Sequence, residues 1–252
     1  MVQVELAMRV LFLLLVSGLC LGRGSLVRGD DSAVLKPLIE RGLKSAGGRE
    51  TLAKRNVQVL RYTMVLPGAG EERTIPGRAV RQIGQRLRVE LEKVVTIGYD
   101  GTKGWMSGNG MVVDLMGEQV RQLTDQIRAD AMVTLISLGD EKLQLRTLGE
   151  SRVEDQPVVG FRIEQDGHRP VELYLDKETG LVVRRITEVP SMQTGQFEKE
   201  ETLYRNYKTM DGIKTPLEIE TRRDGKVLSR LKISDAKYHE QVEAAEFRRP
   251  AS

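Results

Sequence analysis

Apolar and polar residues alternate with a period of two over most of the chain beyond residue 56. Alternation of this kind is typical of a β-strand with one buried and one solvated face. Turn sequences such as Asp100-Gly101 and Asn109-Gly110 separate the apolar runs. These dipeptides supply the positive φ angles of tight hairpins. The pattern therefore predicts about ten short antiparallel strands.

Three segments follow the helical period instead. The first precedes Gly47-Gly48, which is expected to end it because glycine readily adopts the left-handed cap. Pro37 lacks a backbone N–H, so the regular helix is expected to begin only near that residue. Residues 49–54 predict a second, short helical turn.

The third helical segment is amphipathic and is predicted from residue 118 to about residue 138. Its last part, residues 131–136, is apolar on nearly all sides and must be buried on more than one of them. Together these elements predict an α+β fold that is mainly antiparallel β, either a large sheet or an open barrel, covered by helices.

The N-terminus predicts export. Residues 10–21 form an apolar run behind a basic residue, and a transmembrane helix needs roughly 20 apolar residues. A shorter run that ends in small residues is typical of a secretory signal peptide. We therefore predict a signal peptide at residues 1–22, cleavage near Gly22 or Gly24, and a single periplasmic or secreted domain at residues 23–252. An uncleaved anchor is the alternative.

The only cysteine, Cys20, falls within this predicted signal peptide. Lipoprotein signals place a small residue directly before the cysteine, and Leu19 at that position disfavours a lipid anchor. The mature chain would then contain no cysteine, which excludes disulfides, cysteine nucleophiles and thiolate metal sites.

The charge distribution disfavours a nucleic-acid partner. The chain has 39 Lys and Arg against 36 Asp and Glu, for a net charge of +3, and the two signs are interspersed. Nucleic-acid binding requires clustered basic residues. A mixed, solvated surface is therefore expected.

No catalytic motif is complete. His168 falls in a predicted surface turn, and His239 opens a stretch similar to HExxH in which Glu243 replaces the second histidine that zinc proteases need. No serine lies in a GxSxG elbow, and no phosphate-binding glycine loop follows a strand. We predict a protein that is not an enzyme and has no cofactor or metal; a hydrolase using His239 and Glu243 is the alternative.

The single tryptophan, Trp105, precedes a stretch rich in methionine and valine. One interpretation is ordinary core. The other is the wall of a cavity, where flexible methionine side chains adapt to an acyl chain. A sheet covered by a helix that is apolar on several sides could leave such a cavity.

Five segments together carry a resemblance to a known family: residues 44–52, 99–106, 173–184, 207–216 and 247–250. The most specific is 173–184, a strand-turn-strand signature. In their order these segments resemble the periplasmic outer-membrane lipoprotein-sorting family, the LolA-like proteins. The resemblance implies a curved, incomplete antiparallel barrel closed by helices over an apolar cavity that receives lipid or lipoprotein acyl chains. Aromatic residues make up only 4% of the chain, whereas carriers of this family line their cavity with them.

The leading hypothesis is a non-catalytic periplasmic binding or carrier protein for lipid acyl chains or lipoproteins, with a membrane protein as a further candidate partner. Burial of each methylene would contribute about 0.8 kcal/mol. The alternative is an envelope interaction or regulatory module that senses lipoproteins through protein contacts. The candidate cavity wall comprises Leu60, Tyr62, Met64, Leu87, Val89, Leu91, Trp105 and Val112, and the candidate plug comprises Ile127, Ala131 and Leu135.

Overall fold

The computed structural model describes residues 31–68, 70–190 and 197–251. The predicted signal peptide, its cleavage site and Cys20 lie outside the described residues.

One antiparallel sheet contains all the described strands. Their bounds are β1 Val57–Leu66, β2 Arg73–Gln82, β3 Arg86–Leu91, β4 Val95–Tyr99, β5 Gly104–Gly108, β6 Met111–Leu115, β7 Gln144–Val153, β8 Gln156–Glu164, β9 Val171–Asp176, β10 Val182–Pro190, β11 Phe197–Met210, β12 Ile213–Arg223 and β13 Lys226–His239. The order across the sheet is β6-β5-β4-β3-β2-β1-β13-β12-β11-β10-β9-β8-β7. Two meanders of consecutive strands therefore meet at a single seam, the pairing of β1 with β13.

The predicted fold class is confirmed, but the thirteen described strands exceed the expected ten. One strand that the sequence pattern missed is β2, which contains Pro76-Gly77, a turn signal in most contexts. The carbonyl of Pro76 accepts the Glu92 N–H at 2.9 Å, just beyond the last β2–β3 pair, Gly77 with Leu91. The proline therefore stands where the ladder ends, and its missing N–H removes no strand-to-strand bond.

Two helices precede the sheet, α1 at Ser32–Ala46 and α2 at Arg49–Lys54. The predicted start of α1 near Pro37 is wrong. The N–H groups of Val34 and Leu35 already donate to the Asp31 carbonyl at 3.0 and 3.1 Å, so the first turn forms ahead of the proline. The predicted end is confirmed, because Gly47 caps α1 with φ of 135°.

The helix α3 spans Glu118–Met132 and is shorter than predicted. The N–H groups of Thr134 and Leu135 bond to carbonyls three residues earlier, at 3.1 and 3.0 Å, and Leu135 adopts the left-handed conformation with φ of 64°. A 3₁₀ turn at Ile136–Gly139 follows. Leu135 and Leu138 both pack in the core on this side of the sheet.

The helices cover one face of the sheet, which we call the helix face. Residues of α1 and α3 pack there against β7 to β11, and α3 also packs against β1 to β5. The opposite face, the outer face, carries a short C-terminal 3₁₀ turn at Ala244–Phe247, whose Phe247 is buried against Val57 and Val80. Strand alternation assigns each side chain to one of these two faces.

Candidate functional site

A cavity of about 390 Å³ lies between the helix face of the sheet and its cover. Cavities of ~300–1,000 Å³ are typical of small-molecule sites. Much of its wall is apolar. The sheet contributes Leu60, Leu87, Ile213, Ile219 and Ile233, and the cover contributes Leu52, Ile127, Val133, Leu135 and Ile136.

The cover has short side chains where the cavity lies. Ala46 at the end of α1, Ala53 in α2 and Ala131 in α3 all line it. An alanine methyl group does not reach across to the sheet, and α3 ends at Met132. The hollow therefore follows from small residues and a helix break at the same place.

A polar row crosses the sheet beside this apolar wall. Tyr238, Gln58 and Arg81 are cross-strand neighbours on β13, β1 and β2, and all three line the cavity. Gln58 Nε2 donates to Tyr238 Oη at 2.9 Å, and Thr215 Oγ1 lies 2.7 Å from the same oxygen. Burial raises the pKa of the Tyr238 hydroxyl, so this group stays neutral and serves as a hydrogen-bonding anchor.

Asp130 joins α3 to both halves of the sheet. Its carboxylate contacts the guanidinium of Arg185 on β10 directly and lies 3.7 Å from Nη1 of Arg81 on β2. Burial alone would raise the pKa of Asp130, but the charges of Arg185 and Arg81 outweigh it and hold the pKa below its ordinary value. Arg185 is only 2% exposed and also bonds Thr202, so this pair fixes α3 over the cavity.

Two tyrosines of β11 complete the wall. Burial raises the pKa of Tyr204 to about 12 and also raises that of Tyr207, whose hydroxyl donates to the Val182 carbonyl at 2.7 Å. Both side chains are therefore neutral.

The structure brings together five of the eleven predicted site residues. Those that line the cavity are Leu60, Leu87, Ile127, Ala131 and Leu135. Four others lie on the helix face, in or against the apolar cluster beside the cavity, but do not line it: Tyr62, Met64, Val89 and Leu91.

The remaining two, Trp105 and Val112, lie on the outer face. Trp105 is 1% exposed, and its Nε1 donates to the Phe247 carbonyl at 3.2 Å. Val112 of β6 lies on the same face of the sheet as Trp105. Arg249 Nη2 donates to the Val112 carbonyl at 3.2 Å. The structure thus places Trp105 and Val112 beneath the C-terminal segment and away from the cavity.

Sequence reasoning missed the polar members of the site, Gln58, Arg81, Asp130 and Tyr238. One signal was available: Asp130 lies between Ile127 and Ala131 on the apolar side of a predicted helix. A charge at such a position needs a buried partner. The identity of that partner, however, depends on the strand order, which the pattern does not contain.

The stretch similar to HExxH is not helical. His239 is the last residue of β13, and Glu243 immediately precedes the C-terminal 3₁₀ turn. Both side chains are exposed. Within the described ranges, no group of three or more His, Cys, Asp or Glu is arranged to hold a metal ion.

Among the described residues, no helix is long and apolar enough to cross a membrane.

Solved structures share this architecture. A LolA superfamily protein from Nitrosomonas europaea matches with a TM-score of 0.57 and 12% identity, over 85% of this chain and 97% of that one. The chain has a LolA-like fold. A DUF1329 family protein from Desulfovibrio piger gives the same four values. A domain assigned to outer-membrane lipoprotein sorting, from Vibrio parahaemolyticus, matches with a TM-score of 0.51 and 14% identity, over 83% and 97% of the two chains.

These identities establish the LolA-like fold alone, and they confirm the resemblance seen in the sequence at that level. No protein-family model and no curated protein matches the chain.

Proposed function

We propose that this protein is a non-catalytic binding or carrier protein for the acyl chains of a lipid or a lipidated protein. The observation that supports the proposal is the cavity of about 390 Å³ beneath α3, in which apolar side chains of sheet and cover face one another. A LolA-like fold is consistent with it. Binding would be driven by the burial of methylenes, at about 0.8 kcal/mol each.

The proposed contact residues are the five predicted residues that line the cavity, Leu60, Leu87, Ile127, Ala131 and Leu135. Leu60 and Leu87 would form the floor, and the other three would form the cover. Tyr62, Met64, Val89 and Leu91 would contact a chain that extends beyond the cavity along the same face.

The proposal includes export. Residues 1–22 would be removed as a signal peptide, leaving residues 23–252 as one binding domain in the periplasm. N-terminal sequencing of the protein recovered from a periplasmic extract tests this directly. A new N-terminus near residue 23 is expected, and recovery of the intact N-terminus would contradict it.

The cavity itself is tested by filling it. Ala131→Phe places a ring inside the cavity, and Ala53→Phe, at an exposed position of α2, narrows it with less risk to the fold. Ala245→Phe is the matched control, because Ala245 is an exposed alanine of the C-terminal 3₁₀ turn. Lipid that co-purifies with each protein is measured by native mass spectrometry, with thermal unfolding as the check on folding.

The wild type and Ala245→Phe should carry lipid, and both cavity variants should carry several-fold less. A wild type free of lipid that fails to bind added lipid would contradict the proposal. Capture of one specific protein by such a lipid-free chain would favour the interaction module instead.

A further inference from the structure

The charges that line the cavity are unequal. Four basic residues contribute to its wall, Arg55, Arg81, Arg86 and Lys214, whereas Asp130 is the one acidic residue of the described lining. Arg55 is engaged by Asp211, whose carbonyl it bonds at 2.9 Å. The Arg86 guanidinium lies over the Phe247 ring, 5.9 Å from its centroid. Arg81 therefore carries the excess positive charge on the helix face.

Asp130 neutralises Arg81 only in part. Its carboxylate already binds Arg185, and its distance of 3.7 Å to Arg81 Nη1 exceeds a hydrogen bond. The nearby pair of Glu200 and Arg223, at 2.8 Å, is neutral by itself. Two guanidinium groups thus face one carboxylate beside the cavity, and a net charge of one remains.

Arg81 also has donor capacity left. Its Nε is buried and has no hydrogen-bond partner among the described residues. The neighbouring Gln58 amide is engaged by Tyr238. The hydroxyl of Ser137, which also lines the cavity and can donate, is likewise buried without a partner in the described ranges. Buried polar atoms normally have partners, so these two donors indicate that an acceptor group could bind in the cavity.

We propose that Arg81 binds the anionic head group, a carboxylate or a phosphate, of the amphiphile whose chain fills the cavity. A guanidinium offers parallel N–H donors that match such oxyanions, and charge-assisted bonds of this kind are strong. The chain would then run from Arg81 over its cross-strand neighbour Leu87 and over Leu60. This inference rests on the proposed function and narrows its substrate class.

The test compares head groups on one chain length. Dodecanoate, dodecyl phosphate and dodecanol are each titrated to displace a neutral dye, N-phenyl-1-naphthylamine, from the delipidated exported protein. Each anion should bind at least about tenfold more tightly than dodecanol. Arg81→Gln should abolish this preference and leave dodecanol unchanged, while Arg81→Lys should keep part of it. Arg61→Gln is the control, because Arg61 is exposed and does not line the cavity.

The outcomes separate the two proposals. Failure of all three compounds to displace a dye that binds would contradict the proposed function. Displacement by all three with equal affinity would leave the proposed function intact and overturn the role of Arg81. A preference for anions that persists in Arg81→Gln would also overturn the proposed role of Arg81. If Arg81→Gln does not fold, the wild-type comparison and Arg81→Lys decide. The stronger of the two anions identifies a free fatty acid or a lipid phosphate as the source.

Discussion

Each face of the sheet holds a carboxylate among arginines, but the two carboxylates are paired to different extents. On the outer face Glu220 is 3% exposed and accepts from Arg222 at 2.7 Å and from Arg230 at 2.6 Å, with Arg205 at 3.5 Å. Arg205 also donates to Glu154, and Arg230 also donates to Glu72. On the helix face Asp130 has Arg185 close by and Arg81 out of hydrogen-bonding reach.

The difference separates a structural network from a candidate site. The outer network pairs its charges with its own residues. The helix-face network leaves the Nε of Arg81 on β2 without a hydrogen-bond partner among the described residues, beside an apolar cavity. Incomplete pairing beside an apolar cavity, rather than the mere presence of charge, marks the position where a ligand would bind.

The largest expected effect is that of Arg185→Met. This change leaves the Asp130 carboxylate next to the cavity without its main partner, and breaking a buried pair typically costs about 3–5 kcal/mol. The free energy of unfolding, measured with urea, should fall by this amount. Arg222→Met is the comparison on the outer face. It should cost far less, because Glu220 keeps Arg230. Equal losses would contradict the contrast between the faces.

Trp105→Phe should lower the free energy of unfolding by about 2 kcal/mol, through the lost bond to Phe247 and the smaller ring. Because the structure places Trp105 on the outer face, the affinity of the folded variant for lipid should not change. Both quantities should be measured on one preparation. A weakened affinity for lipid would contradict the placement of Trp105 away from the cavity.

The loss of stability at acid pH should depend on Asp130. Its pKa is lower in the folded state than in the unfolded chain, so its contribution is fully present above the unfolded pKa of about 4. That contribution is lost as pH falls through the folded pKa. Asp130→Asn should therefore lose stability at neutral pH and show a flatter decline below about pH 4. Urea midpoints across this range measure it, and parallel wild-type and variant curves would contradict it.

The smallest expected effect is that of Val112→Ala. Val112 is partly buried on the outer face, so the substitution should lower the free energy of unfolding by at most about 1 kcal/mol. Lipid binding should not change. Leu87→Ala is its counterpart on the helix face and should weaken binding. Dye displacement by dodecanoate compares the two, and similar losses in both variants would argue against a single binding face.

Much of the fold could be predicted because local signals agreed with it. Gly47 ends α1, residues 49–54 form α2, and glycine dipeptides mark hairpins such as the one between β5 and β6. The elements that were missed carry weak or contrary signals. β7 has few buried positions, and β2 contains a proline.

The site was harder to predict, for a geometric reason. Alternation shows that Trp105 and Met106 point to opposite faces, but not which face the helices cover. Arg81 and Asp130 are 49 positions apart in a chain of mixed charge, and only the order β6 to β1, then β13 to β7, brings them together. Periodicity contains no information on that order.

The seam between β1 and β13 has a consequence for biogenesis. A chain that emerges N-terminus first during synthesis presents β1 long before its partner β13 is available. Until then each meander can form its hairpins, but the edge of β1 stays open and prone to wrong pairing. Such non-local closure is intrinsically slow, so the newly made chain would need protection until its last strand is available.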